Sequence, residues 1–91
     1  MARIESEELT DPERVFVALS LGKARQAEDL LGNAGVDYAV EVEPVGKSFL
    51  FRSERYGAVF YVASGQATYC RTQLVAAGLA QGVVPDAGAD I

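Results

Sequence analysis

The stretch RVFVALSLGKARQAEDLLGNAGVDYAVEVE, residues 14–43, decides the fold. In Arg14 to Leu21, Val15, Val17 and Leu19 fall on one side and Phe16, Ala18 and Ser20 on the other. That is the pattern of a strand apolar on both faces, as at the centre of a sheet. The preceding Thr10-Asp11-Pro12-Glu13 has the polar cap and proline of a helix start, but the alternation after it overrules that reading. From Ser20 or Gly22 the period changes. Ala24, Ala27, Leu31 and Ala34 recur at helical spacing with Leu30 beside them, while Lys23, Arg25, Gln26, Glu28 and Asp29 make a solvated side. Asn33-Ala34-Gly35 closes this helix, glycine supplying the left-handed cap. Val36, Tyr38, Val40 and Val42 then alternate with Asp37, Ala39, Glu41 and Glu43, a second strand with one face on the core.

Beyond it, Pro44-Val45-Gly46 is expected to end the strand, Ser48 to Phe51 is strand-like, and Ser53 to Gly57 reads as a polar turn. Ala58 to Ala63 is an apolar strand, so the connection is either long and extended or contains an extra strand. Ser64 is expected to cap a second helix of about Gly65 to Leu79, packing through Ala67, Cys70, Leu74 and Ala77, with Gly78 and Gly82 as stops. Val83 and Val84 before Pro85 suit a short edge strand.

The order βαββαβ predicts an α+β, ferredoxin-like two-layer sandwich with two helices on one face of an antiparallel sheet. An acidic segment, residues 1–13, precedes a single domain at 14–85, and a tail expected to be flexible follows at 86–91. Phe16, Ala18 and alternate residues among Phe60, Tyr61 and Val62 are expected on the sheet face away from the helices. A bare apolar sheet face on a small domain marks an association site, which predicts a homo-oligomer.

Ninety-one residues suit one domain with a thin core, 49% apolar but rich in Ala and Val. One cysteine, Cys70, forms no intrachain disulfide, and neither a signal peptide nor a membrane-spanning run is recognisable, so the expected compartment is the cytoplasm. The net charge of −5 divides into −4 over residues 1–13, +1 over 14–85 and −2 over 86–91. Acidic ends around a near-neutral body argue against nucleic acid as a partner, because phosphate neutralisation supplies most of that affinity.

Gly46-Lys47-Ser48 matches the tail of a phosphate-binding loop, but position 41 is Glu rather than the required glycine and Phe49-Leu50-Phe51 looks extended, not helical. Lys47, Arg52 and Arg55, with Tyr56 and Gly57 beside them and Glu54 opposing, form the candidate site for a partner or small anion. A solvated hairpin tip explains the same charges. The chain has no histidine, which removes Cys/His and Ser/His catalysis and imidazole zinc sites, and leaves Cys70 as a buried thiol with no base. Glu41 and Glu43 share one strand face with no third metal ligand. Tyr38, Tyr61 and Tyr69 are assigned to packing before ligand stacking. No cofactor and no catalytic or metal residue is assigned.

Val15-Phe16-Val17-Ala18 leading through Ser20, then Ala27 to Leu31, then Ala34-Gly35-Val36-Asp37-Tyr38, is similar to small prokaryotic domains described as putative signal-transducing proteins, distant relatives of the P-II-like fold. The resemblance implies a ferredoxin-like fold, assembly through the sheet, and sensing of a ligand or partner near residues 44–57. It carries no nucleotide-contacting pattern, so ATP binding does not transfer. The expected function is a non-catalytic regulatory or interaction domain that self-associates through its sheet. The alternative is a small dimeric ligand-binding protein or enzyme with an apolar pocket between sheet and helices.

Overall fold

The computed structural model describes residues 3–48 and 53–85. Three strands and two helices follow one another as β1 (Pro12–Ala18), α1 (Leu21–Asn33), β2 (Tyr38–Ser48), β3 (Ser53–Ala63) and α2 (Ala67–Ala76). The sheet is antiparallel in the order β1-β3-β2, so β3 is central and β1, expected at the centre, is an edge of the three. The result is an α+β fold with both helices packed on one sheet face, their buried residues sharing one cluster with Phe16, Tyr38, Phe60 and Val62. Val83 makes an isolated antiparallel bridge to Phe16, placing residues 83–84 outside β1.

The expected alternation in β1 fails at one residue. Arg14 stands opposite Tyr61 and Phe16 opposite Phe60, so Val15 is an extra residue in a β-bulge. Val15 and Phe16 both join the helix-side core, and Val17 shares the opposite face with Val59 and Arg14. Phe16 and Ala18 therefore lie beneath the helices and not on the second face, where they were expected; of Phe60, Tyr61 and Val62, Tyr61 alone is on that face and the other two are in the core. Phe16 meets Phe60 edge-on at 5.8 Å between centroids, and Tyr38 stacks on Phe60 at 5.9 Å.

The helices begin and end largely as their residues dictate. The Ser20 side chain accepts from the Lys23 amide at 3.2 Å, capping α1. Gly35 (φ 75°) and Gly78 (φ 84°) end the two helices in the left-handed region. There Val36 N–H donates to Leu31 and Leu79 N–H to Leu74, closing carbonyls the helices leave open. Ser64, expected to cap α2, instead opens a 3-10 turn, Ser64–Gln66, and its side chain caps nothing. Ala67, Cys70 and Leu74 pack inward as expected, but Ala77 is exposed because α2 has already ended at Ala76.

Pro44 does not end β2. The strand passes a second bulge between Pro44 and Gly46 and continues to Ser48, paired with Ser53. The expected polar turn at Ser53 to Gly57 is accordingly the first half of β3. Because β1 pairs only with Ala58 to Ala63, residues 43–48 and 53–57 project past it as a two-stranded arm.

Gly82, an expected helix stop, serves close packing. A Cβ there would lie 2.5 Å from Phe16 Cε1 and 2.6 Å from the Val17 carbonyl oxygen, so only glycine lets the chain reach β1. Arg71 completes the seam. Its guanidinium donates to the Val84 carbonyl at 2.6 Å, the Arg14 carbonyl at 2.9 Å and the Glu13 carboxylate at 2.5 Å. Replacing Arg71 by Ala is expected to lower the unfolding free energy by about 2–3 kcal/mol, since three acceptors lose a charged donor. Arg71→Lys should recover only part of it, because an ammonium cannot span the three acceptors. Urea unfolding of both variants measures this, and full recovery by lysine would contradict the assigned geometry.

Candidate functional site

The second sheet face carries Ala39, Glu41 and Glu43 from β2, Gly57, Val59 and Tyr61 from β3, and Arg14 and Val17 from β1. It is not the bare apolar surface expected from the sequence. The acidic N-terminal segment binds this side of the sheet. Arg3 bridges Tyr38, Ile4 N–H donates to the Tyr38 carbonyl at 2.7 Å, and the Ser6 hydroxyl donates to Glu41 at 2.9 Å. Leu9, Ala39 and Val59 are buried yet stand outside the main core cluster. Asp11, at φ 51°, turns the segment into β1, and its carbonyl accepts from Ser64 N–H. Beside this strap, Arg14 donates to Glu43 at 2.8 Å and to the Tyr61 hydroxyl at 3.1 Å, and that hydroxyl donates to Glu43. The Arg14 guanidinium lies 5.8 Å from the centre of the Tyr61 ring. Burial, then the bond to Glu43, pushes the Tyr61 phenol above its ordinary pKa. With its hydrogen bonds made inside the protein, this network is a polar cover on the sheet.

The expected anion cluster is only partly visible. Backbone register sets Lys47 opposite Glu54 and Arg55 opposite Gly46 on the arm. Their side chains, and the whole of Arg52, lie outside the described residues. Tyr56 is described and is 57% exposed. Of the other tyrosines, Tyr38 is buried and donates to Glu28 at 2.9 Å, whereas Tyr69 is exposed on α2.

The surface that stands out lies where the arm leaves the body. Leu19 is 58% exposed, Leu21 68% and Val42 74%. A shallow hollow of about 250 Å³ is lined by Ala18, Leu19, Leu21, Ala24, Tyr56 and Ala58, the last paired with Val42. Leu19 also borders a second hollow of about 150 Å³, with Phe16, Lys23, Leu79 and Gly82 in its lining. Sequence reasoning assigned Val42 to the core, but β2 outruns the helices, so its core-side row emerges into solvent. Leu21 carries a readable signal: it opens α1 outside the Ala24, Ala27, Leu31 stripe, and an apolar residue off that stripe is free to meet something else.

Between sheet and helices the layer is filled. Phe16, Leu31, Phe60, Cys70 and Leu74 are all at or below 1% exposure. Both hollows lie below the roughly 300–1,000 Å³ of small-molecule pockets. Among the described residues no group of His, Cys, Asp and Glu could hold a metal ion. Burial pushes the Cys70 thiol up to about 11, far from a reactive thiolate at neutral pH. Among the described residues no helix is long and apolar enough to cross a membrane. Comparisons with protein-family models, curated proteins and solved structures found no match to this chain.

Two buried acids give the fold an alkaline limit. Cys70 rises from 9.0 to about 11 and Tyr38, through burial and its bond to Glu28, from 10.0 to about 12. A raised folded pKa means the native state holds its proton more tightly than the unfolded chain, so stability is fully present below the unfolded value and is lost as pH rises. The urea midpoint should therefore begin to fall above pH 9.0 and continue falling to about 12. Cys70→Ala should delay the onset to about pH 10.0, where Tyr38 takes over, and an unchanged onset would contradict the Cys70 assignment.

Proposed function

We propose that the protein is a non-catalytic interaction domain that self-associates through the apolar surface at the root of its arm. The observation that carries this reading is the grouping of Leu19, Leu21 and Tyr56, each more than half exposed, around one hollow beside the α1 N-terminus, with exposed Val42 next to it on β2, opposite Ala58. An apolar patch of this kind, rimmed by polar residues, serves association. The filled layer between sheet and helices supports this reading over the small-ligand enzyme, whose substrate would need that space.

In the same reading the fold is ferredoxin-like, with residues 83–84 as a vestigial fourth strand beside β1, in keeping with the resemblance to signal-transducing domains. The sheet-face mode of assembly drawn from that resemblance gives way to an end-on one, since the N-terminal strap and the Arg14–Tyr61–Glu43 network occupy the sheet. In the same reading Lys47, Arg52 and Arg55 serve the recognition of a partner or small anion, their guanidinium and ammonium groups suiting carboxylate or phosphate.

Sedimentation velocity over a concentration series is expected to show a monomer passing into a dimer. Leu21→Asp should weaken it about tenfold or more, the effect of placing a charge where a leucine is buried. Aspartate in the first turn is compatible with α1, so the variant should keep its fold and thermal midpoint. A clean monomer at high micromolar concentration would overturn the reading.

A further inference from the structure

We propose that the N-terminal strap, residues 3–11, is a displaceable cover over a peptide-binding face, and that what displaces it is an extended segment of a partner protein carrying an apolar anchor beside a basic residue. This surface is separate from the end-on contact, and its test does not depend on that contact. The strap itself shows how such a segment binds. Ile4 N–H donates to the Tyr38 carbonyl at 2.7 Å and Arg3 forms a parallel bridge to Tyr38, so the β2 edge takes an added strand. Leu9 is buried without joining the helix-side cluster, as are Ala39 and Val59 of the covered face.

The strap is imperfectly matched to this seat. The carboxylates of Glu7 and Glu41 both meet the Ser6 hydroxyl, at 3.3 Å and 2.9 Å. A hydroxyl has one proton to give, so two like charges share a single donor. Among the described residues no ion pair joins the strap to the body, although it carries Arg3, Glu5, Glu7 and Glu8. Its return into β1 passes through Asp11 at φ 51°, a left-handed conformation that disfavours a residue with a Cβ. No strap residue belongs to the helix-side cluster, so the strap can open while the body stays folded. Charge complementarity names the displacing segment: a lysine or arginine beside Glu41 turns a repulsion into an ion pair, while an apolar side chain takes the place of Leu9.

The test uses the full-length chain at concentrations where it is monomeric, with two variants, Leu9→Asp and Ile4→Pro, that remove the anchor and the edge donor. Circular dichroism checks their fold. In each, amide exchange across residues 5–9 should rise about tenfold or more while α1 and α2 keep their protection. Glu7→Lys should slow the same exchange, since it pairs with Glu41 in place of repelling it. The probe is a labelled peptide copying residues 3–10 with lysine in place of Glu5 and Glu7. It should bind Leu9→Asp about tenfold or more tightly than wild type, whose own strap competes at an effective concentration on the order of millimolar. An unaltered copy of residues 3–10 should bind about tenfold more weakly than the lysine copy at low salt, a gap that closes as salt is added. Equal affinity for wild type and both variants, or no binding to either variant, overturns the covered face. Exchange that rises in α1 and α2 together with the strap overturns its separate opening. Equal affinity of the two peptides overturns the basic partner and gives the seat to the strap of a second copy.

Discussion

The extra residue at Val15 is the constraint on which the rest of the structure depends. By shifting the β1 register between Arg14 and Phe16, the bulge sends two consecutive apolar side chains, Val15 and Phe16, into the core under the helices. It also leaves two edge carbonyls to be satisfied from outside the sheet. Both partners come from the C-terminal half: Arg71 donates to the Arg14 carbonyl and Val84 N–H to that of Val15. The chain can come that close because Gly82 has no side chain to strike Phe16. An orphaned carbonyl at a partly buried edge would cost on the order of 1–3 kcal/mol, so bulge, α2 and the Val83 bridge stabilise one another.

The same shift fixes what the other sheet face can be. With Phe16, Ala18, Phe60 and Val62 under the helices, the second face is left with Arg14, Val17, Val59, Tyr61 and the two glutamates of β2. Its small apolar centre, Ala39 and Val59, is buried, and the strap that binds beside it brings Leu9 into the same buried set. Arg14 neutralises one of the two glutamates, Glu43, and the other, Glu41, accepts from the Ser6 hydroxyl. The acidic N-terminal segment thus joins the body through the strand edge at Tyr38 and the hydroxyl bond to Glu41. Among the described residues, exposed Leu19, Leu21, Val42 and Tyr56 gather at the end of the sheet, where β2 and β3 outrun both β1 and the helices, while Tyr69 and Val75 are exposed apart from them on α2.

Much of the fold was legible in the sequence where one residue type has one use. Ser20 as a cap, Gly35 and Gly78 as left-handed stops, and the Ala27, Leu31 and Cys70, Leu74 stripes all stand where local chemistry puts them. What escaped depends on partners distant in sequence. A bulge changes no residue's propensity, so the alternation Val15, Val17, Leu19 reads as one face until the β3 register is known. Pro44 reads as a strand end because its missing N–H is tolerated only on an edge, and β2 is an edge only in the assembled sheet. Arg71, 57 residues from Arg14, carries no local sign of its three acceptors. The apolar end surface was legible only at Leu21 for the same reason: Val42 reads as a core strand residue, and Tyr56 as part of a polar turn, until the β2–β3 register shows both strands running past the helices.

The central claim is that association uses the end of the sheet and not its face. Hydrogen exchange followed by mass spectrometry, at dilutions below and above the association range, reads this directly. The account predicts added protection on association in peptides covering residues 19–24 and 56–58, with residues 39–41 and 59–61 unchanged. Added protection confined to the peptides of the Arg14, Glu43 and Tyr61 face, with residues 19–24 unaltered, would contradict it.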